Sequence, residues 1–321
     1  MIRGTVRFMS GTYDTTLRPG ASARAPFGRM LTAMVTPMTT DGGLDTGGAA
    51  RLATYLVNDM RSDGLVVSGT TGESPTTTDD EKDALLHAVL DAVGDRATIV
   101  AGVGTNDTAH TIELARRAER AGAHALLVVT PYYSKPPQSG LVRHFTAVAD
   151  ATSLPVMLYD IPGRTGVPIA TETLLELAEH PRIIAVKDAK EDIGSASKIM
   201  AMTDLVYYCG TDMVNLPWLS IGAAGFVSVH SHVAGDRLHE MIDAYQAGDV
   251  ATALAIHQGM LPVYEGMTRN QGAIMAKAAL RLLGLPGGPA RLPLADATPA
   301  ETERLRTDLV AGGIKLPGIA A

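Results

Sequence analysis

The residues from Ile183 to Lys190 read IIAVKDAK, and they indicate both a fold class and a chemistry. An apolar run ends directly in Lys187, which places an amine where a predicted strand leaves the core. In a parallel α/β barrel, catalytic side chains collect at that end of the strands. Burial disfavours the ammonium form, so some free amine is available near neutral pH to attack a carbonyl carbon. A lone lysine at a strand end also fits a simpler interpretation, in which the side chain extends into solvent.

Seven other short apolar runs resemble this one, and most are separated from the next by a helical pattern. They are LTAMVTP from Leu31, GLVVSG from Gly64, TIVAGV from Thr98, ALLVVTP from Ala125, PVMLYD from Pro155, LVYYCG from Leu205 and GFVSV from Gly225. Clear helical patterns cover Thr78 to Val93, with Thr78 as the predicted N-cap, and Thr108 to Ala121. Eight strand-helix units with apolar strands predict an α/β fold, a closed (β/α)8 TIM barrel.

After the eighth run only helical periodicity continues, with breaks at Gly248, at Gly259 to Pro262 and at Gly284 to Pro289. We therefore predict a barrel catalytic domain over residues 26–249 and a C-terminal helical appendage over residues 250–321. Residues 1–25 are interrupted by charged residues and glycines and lack the pattern of a secretory signal, so we predict a flexible arm there.

Composition excludes several classes of partner. The net charge is −7 and the pI is near 5.7, which argues against nucleic acid and against an anionic membrane surface. No apolar run is long enough to span a bilayer. The single cysteine, Cys209, excludes an internal disulfide and fits a reducing cytoplasm. We expect its thiol to be buried.

Polar residues follow the predicted strands where a barrel would carry its active site. The loop GTTGES, from Gly69 to Ser74, offers hydroxyl and amide groups that can hold a small carboxylate. Tyr159 ends the fifth run, and Arg164 follows on a loop bent by proline and glycine. A phenol suits proton transfer beside a lysine, and a guanidinium suits a substrate carboxylate. Gly210 ends the seventh run, where bare backbone can approach a ligand closely.

Each of these residues also fits a purely structural role. GTTGES can be an ordinary turn, Tyr132 and Tyr133 can be packing residues, and Tyr159 and Arg164 can serve packing and a surface ion pair. His230 and His232 have a spacing that suits a metal, but the sequence offers no convincing further ligands.

Taken together, four motifs carry a resemblance. GTTGES, TPYYSKPP from Thr130, YDIPGRTG from Tyr159 and VKDAK from Val186 resemble the pyruvate-dependent class I aldolase superfamily, which includes the N-acetylneuraminate lyases. Within it the chain is similar to the dihydrodipicolinate synthase family, from about Gly28 to Leu294. Arg164 in GRTG favours that family, because the sugar-acid aldolases of the superfamily do not usually carry this arginine.

The resemblance implies a role for each matching residue. Lys187 matches the lysine that forms a Schiff base with pyruvate, and Tyr159 matches the tyrosine that transfers protons in a relay with Thr70 and Tyr133. Tyr133 would reach in from a neighbouring subunit. Thr71 matches the residue that holds the pyruvate carboxylate, and Arg164 matches the residue that binds the carboxylate of L-aspartate semialdehyde. Gly210 and Val227 match positions whose backbones line the pyruvate pocket.

The implied reaction condenses pyruvate with L-aspartate 4-semialdehyde to 4-hydroxy-tetrahydrodipicolinate, in lysine and diaminopimelate biosynthesis. A lysine imine needs no cofactor and no metal. A tyrosine supplied by another subunit implies a homo-oligomer that is at least a dimer. The resemblance implies a tetramer, the usual state in the family. Two alternatives remain: a related pyruvate-dependent aldolase that acts on a sugar acid, and a non-catalytic barrel that binds a keto acid.

One departure from the family concerns feedback inhibition. Relatives that are inhibited by lysine bind it through histidines and a glutamate, and the matching positions here are Asp79, Lys82 and His110. Ser74, Asn106 and Tyr132 do match. Because Lys82 and His110 do not attract the ammonium group of an inhibitor, we expect weak inhibition by lysine.

Overall fold

The structure is a computed structural model that describes residues 5–8, 11–14 and 25–318. Strands β1 (Thr5–Phe8) and β2 (Gly11–Asp14) form an antiparallel pair. The predicted arm over residues 1–25 lies otherwise outside the described residues, apart from Ala25, so its flexibility stays a prediction.

Eight parallel strands close into a barrel, as the sequence predicted. They are β3 (Met30–Ala33), β4 (Gly64–Val67), β5 (Thr98–Gly102), β6 (Ala125–Val129), β7 (Val156–Asp160), β8 (Ile183–Asp188), β9 (Val206–Cys209) and β10 (Gly225–Ser228). Each strand pairs with its neighbours in chain order, and β10 closes the circle by pairing with β3. Buried strands that are covered on both faces need apolar side chains at nearly every position, which is why their runs are continuous in the sequence.

Alternation along the strands decides which side chains enter the barrel. On β7, Met157 and Tyr159 belong to the interior cluster, whereas Leu158 packs in the cluster under the helices. On β8, Ala185 faces inward and Val186 outward. The same two-residue period therefore directs Lys187 into the barrel at its carboxyl end.

Helices connect the strands and cover the barrel. They are α1 (Thr46–Asn58), α2 (Asp79–Val93), α3 (Thr108–Ala121), α4 (Gln138–Asp150), α5 (Pro162–Thr165), α6 (Thr171–Leu177), α7 (Ile193–Met202), α8 (Asn215–Ser220) and α9 (Ser231–Gln246). Thr78 caps α2 as predicted, because its side chain accepts from Glu81 N while the Glu81 carboxylate accepts from Thr78 N. The boundaries predicted for α3 are also confirmed. No helix in the described ranges has the length and apolar character to cross a bilayer.

The chain continues after α9 with helices and no strand between residues 229 and 318. They are α10 (Val250–Gly259), α11 (Leu261–Thr268), α12 (Gly272–Leu282) and α13 (Pro299–Ala311). The predicted breaks are confirmed: Gly248 and Gly284 have φ of 84° and 72°, a left-handed conformation that glycine adopts without strain. The division into domains at residue 249 stays a prediction.

Candidate active site

Lys187 lies at the inner, carboxyl end of β8 and is almost enclosed. Its exposure is 5%, so the amine lies in the interior and not in solvent. Burial lowers the pKa of Lys187 from 10.5 to about 8, partly opposed by the negative charge of Asp212. The positive charge of Arg164 lowers it further. The simpler interpretation of a lysine reaching into solvent is therefore wrong, and the environment supports a nucleophilic amine.

Gly210 makes room for the side chain of Lys187. Its N–H donates to the carbonyl of Asp188 at 2.7 Å, which brings the loop after β9 against β8. A Cβ at Gly210 would lie 3.1 Å from Lys187 Cε and 2.9 Å from the Asp188 carbonyl oxygen. The bare backbone thus approaches the lysine side chain itself.

Tyr159 is the direct neighbour of the amine. It pairs with Lys187 across the strands, and the Lys187 Nζ lies 4.2 Å from the centre of its ring. Thr130 fixes the strand here by donating its hydroxyl to the Tyr159 carbonyl at 3.1 Å. Burial raises the pKa of Tyr159 to about 12, although Arg164 and a hydrogen bond with the Thr70 side chain oppose this. At neutral pH the phenol is therefore protonated and can donate a proton beside the amine.

The GTTGES loop is held tightly where β4 ends. The Thr36 hydroxyl donates to the Gly72 carbonyl at 2.6 Å, and Glu73 N donates to the Thr70 carbonyl at 3.1 Å. Thr71 is buried, and Thr70 reaches the Tyr159 hydroxyl. The loop therefore presents Thr70 to the tyrosine, with the buried Thr71 next to it in the chain.

A cavity of about 400 Å³ opens at this end of the barrel. Four of the predicted residues line it: Thr70, Tyr133, Tyr159 and Arg164. The other four lie outside its lining. Lys187 is behind the Tyr159 ring, Gly210 packs on Lys187, Thr71 follows Thr70, and Val227 lies in the interior cluster on β10. The structure thus gathers the predicted residues at one end of the barrel, with the amine against Tyr159, which lines the cavity.

Tyr133 differs from the others because 89% of its surface is exposed. Its φ of 71° is uncommon for a residue with a side chain, and it lies on the proline-rich loop after β6. The structural interpretation of Tyr133 as a packing residue is therefore wrong for the single chain.

Asp212 belongs to the site although no sequence pattern indicated it. It follows β9, and its buried Oδ2 accepts from Val229 N at 2.9 Å and from His230 Nδ1 at 2.6 Å. Although burial alone would raise its pKa, His230 and further hydrogen bonds hold the pKa of Asp212 well below its usual range. Its charge also acts on Lys187. The one available signal was an acid directly after a strand end, in GTD.

The two histidines after β10 both have partners in the protein. His230 pairs with Asp212, and His232 donates from Nδ1 to the Val229 carbonyl at 2.7 Å. The Nε2 of His232 accepts from Val35 N at 3.2 Å, which joins the start of α9 to the segment after β3. Across residues 25–318, no three His, Cys, Asp or Glu side chains form a group that could hold a metal ion.

Cys209 is buried, as expected from the sequence. Its thiol donates to the Thr211 carbonyl at 3.2 Å, and burial raises the pKa of Cys209 well above its ordinary value. A thiol in this state has little thiolate and low reactivity.

The residues at the expected regulatory positions form contacts with one another. His110 Nε2 lies 2.9 Å from Asp79 Oδ2, and Lys82 Nζ donates to the Thr77 carbonyl at 2.6 Å. Lys82 Nζ also lies 4.0 Å from Asp79 Oδ1, so Asp79 faces both His110 and Lys82.

The fold and the site define an α/β-barrel protein with a buried lysine at the carboxyl end of the barrel. Residues 26–311 match the family model described as the dihydrodipicolinate synthetase family, and the chain belongs to that family.

Named relatives and a solved structure agree with this. The chain is 68% identical to a 4-hydroxy-tetrahydrodipicolinate synthase of Acidothermus cellulolyticus, over 93% of this chain and 95% of that protein. It is 62% identical to 4-hydroxy-tetrahydrodipicolinate synthase 2 of Streptomyces coelicolor, over 94% of this chain and 100% of that protein. A crystal structure of DHDPS from Cyanidioschyzon merolae with lysine bound superposes with a TM-score of 0.88 at 42% identity, covering 90% of this chain and 99% of that one.

Proposed function

We propose that this protein is a lyase of the class I aldolase type that condenses pyruvate with L-aspartate 4-semialdehyde to 4-hydroxy-tetrahydrodipicolinate. The reaction belongs to lysine and diaminopimelate biosynthesis. The observation that carries the proposal is the buried amine of Lys187 against the ring of Tyr159, which lines a cavity of about 400 Å³. The high identity to proteins named for this reaction supports the choice of substrates.

Imine formation comes first. The neutral amine of Lys187 attacks the keto carbon of pyruvate, and a C–N bond forms while the carbonyl oxygen takes a proton from Tyr159. Tyr159 then recovers a proton from the attacking nitrogen and passes it to that oxygen, which leaves as water. Thr71 and its loop hold the pyruvate carboxylate. Asp212, which is buried and ionised, favours the protonated imine that results.

Carbon-carbon bond formation follows. The protonated imine accepts electrons, so a methyl proton passes to the Tyr159 oxygen, which gave up its proton to the departing water, and the resulting enamine attacks the aldehyde carbon of the second substrate. The aldehyde oxygen takes a proton through the relay of Tyr159 and Thr70. Arg164, at the cavity wall, binds the carboxylate of the semialdehyde and orients its aldehyde. The amine of the semialdehyde then displaces Lys187 at the imine carbon and closes the ring.

Coupled assays test the choice of substrate. Pyruvate with L-aspartate 4-semialdehyde should give product, and cleavage of sugar acids to pyruvate should be absent. Faster cleavage of a sugar acid than condensation of the semialdehyde would support the alternative aldolase and contradict this proposal.

Arg164→Ala should affect the second substrate far more than pyruvate. We expect kcat/KM for the semialdehyde to fall by about 10²-fold, because a bidentate charged contact is lost. Reduction of the pyruvate imine on Lys187 by borohydride, which traps the imine, should continue. Arg143→Ala, an arginine on α4 outside the cavity lining, is the matched control and should keep both. Equal losses for both substrates would show that Arg164 does not discriminate between them.

Imine formation should depend on pH through Lys187. Since the pKa of Lys187 is about 8, the trapping rate at saturating pyruvate should rise about tenfold for each unit up to that pH and then level off. Compared with an ordinary pKa of 10.5, this gives about 300-fold more free amine at neutral pH. The rate of imine trapping, measured in borohydride reactions that are stopped at set times across pH 6 to about 10, gives the pH profile. A rate that keeps rising to pH 10 would contradict a depressed pKa.

We also propose that the protein works as a homo-oligomer, at least a dimer, in which Tyr133 completes the relay in a neighbouring subunit. Tyr133 is 89% exposed and has a φ of 71°, so its side chain does not pack within its own chain. These two features support a contact with a neighbouring subunit.

Lysine should inhibit this protein weakly. Asp79 is occupied by His110, and Lys82 repels an ammonium group, so the site lacks the attraction that an inhibitor needs. We expect no half-maximal inhibition below about 1 mM lysine in a steady-state assay. The double substitution Lys82→His and His110→Glu should increase sensitivity. Half-maximal inhibition of the unmodified protein at sub-millimolar lysine would contradict the prediction.

A further inference from the structure

The GTTGES loop is tied to the C-terminal helices by a fully buried ion pair. Lys277, on α12, places its Nζ 2.5 Å from Glu73 Oε1, and the two side chains have exposures of 0% and 1%. The other oxygen, Glu73 Oε2, accepts from Arg291 N at 2.8 Å. Lys277 also donates to the Pro289 carbonyl at 2.7 Å. Both ends of the pair are thus held by the same C-terminal segment, residues 277–291.

This segment also presses on the neighbouring loops of the barrel. A Cβ at Gly288 would lie 1.9 Å from the Met38 carbonyl oxygen, so the backbones are in close contact after β3. The Arg291 guanidinium donates to the Gly42 carbonyl at 2.7 Å and forms a two-point contact with Glu81 at the start of α2. The GTTGES loop therefore lies between elements that the C-terminal segment fixes on both sides.

The backbone of Glu73 is held in an uncommon conformation. Its φ is 56° and its ψ is 35°, a left-handed conformation that strains residues with a Cβ. Such a residue persists when its surroundings hold it. Glu73 N donates to the Thr70 carbonyl, so the strained turn is coupled directly to Thr70 and closes the backbone around Thr71.

A buried ion pair contributes little net stability, because removing two charges from water offsets their attraction. What it does supply is a fixed arrangement of the groups that it joins. We propose that Lys277, acting through Glu73, is a positioning residue that holds the Thr70 and Thr71 loop in the geometry required to bind pyruvate. This inference rests on the proposed function, and it gives α12 a part in the active site although it lies outside the barrel.

The double variant Glu73→Gln/Lys277→Met tests it, since it removes both charges and leaves neither one buried alone. We expect the half-saturating pyruvate concentration for borohydride trapping to rise on the order of tenfold to a hundredfold. The KM for the semialdehyde should stay unchanged, because Arg164 lies on a different loop, within α5. The control is Arg269→Met, which removes the ion pair of Arg269 with Asp308 elsewhere in the C-terminal helices and should leave pyruvate binding unchanged.

Thermal unfolding separates positioning from general damage. A double variant with nearly the wild-type Tm and weak pyruvate binding supports the inference, and wild-type half-saturation overturns it. If the double variant does not fold, Glu73→Asp decides by the same readout, because its shortened carboxylate cannot reach Lys277 and Arg291 N together. If the wild-type protein forms no adduct with pyruvate, the proposed function is overturned and this inference with it. If the wild-type protein forms the adduct and the double variant has the same half-saturating pyruvate concentration, only this inference is overturned.

Discussion

Lys187→Ala should abolish condensation, lowering kcat by more than about 10⁴-fold, because the amine that forms the imine is lost. The barrel should remain folded. Asp212 keeps its hydrogen bonds with His230 Nδ1 at 2.6 Å and Val229 N at 2.9 Å, so the substitution leaves no buried carboxylate without a hydrogen-bond donor. Steady-state assays with pyruvate and the semialdehyde measure the loss, and thermal unfolding checks the fold.

The matched control is Lys190→Arg in the same IIAVKDAK stretch. Lys190 points away from the cavity to an ion pair with the buried Asp160, at 3.1 Å, and an arginine keeps that charge. We expect activity within a few-fold of the unmodified protein. Residual activity of Lys187→Ala within about tenfold of the wild type would show that another group carries the reaction.

Tyr159→Phe should lower kcat by about 10² to 10⁴-fold, the range for loss of a positioned acid or base. The ring still packs beside Lys187, so the cavity keeps its shape, but no hydroxyl delivers protons to the departing oxygen. We expect the trapping rate with pyruvate to fall as well, since the same proton is needed for imine formation. Rapid-quench trapping and steady-state assays measure the two effects separately.

Tyr207→Phe is the control for a lost hydroxyl. Tyr207 is buried on β9, faces outward from the barrel, and its hydroxyl has no hydrogen-bond partner among the described residues. Its removal should leave activity and stability close to wild type. A Tyr159→Phe variant as active as Tyr207→Phe would remove Tyr159 from the proposed relay.

The sequence predicted the barrel because its signals are local. Each strand is a short apolar run, and α2 begins with a capping box that is complete within four residues. Lys187 was recognisable for the same reason, since the apolar run and the amine are adjacent. The motifs at the strand ends added the remaining predicted residues.

The parts that sequence patterns missed depend on contacts between distant segments. Asp212 is significant only because barrel closure brings the end of β9 beside β8 and His230. Lys277 lies within the apolar pattern of α12, where a lysine is a weak hint of a buried partner, and nothing local connects it to Glu73. The cavity likewise arises from the ends of four strands, β4 to β7, and the loops that follow them, so its boundary, which excludes Lys187, was not predictable.

The most direct measurement is borohydride reduction of the protein with pyruvate, followed by intact mass and peptide mapping. The reduced imine should add one pyruvate-derived group to each chain, on Lys187, and Lys187→Ala should show none. An unmodified chain after treatment, or a group on another lysine, would contradict covalent capture of pyruvate by Lys187.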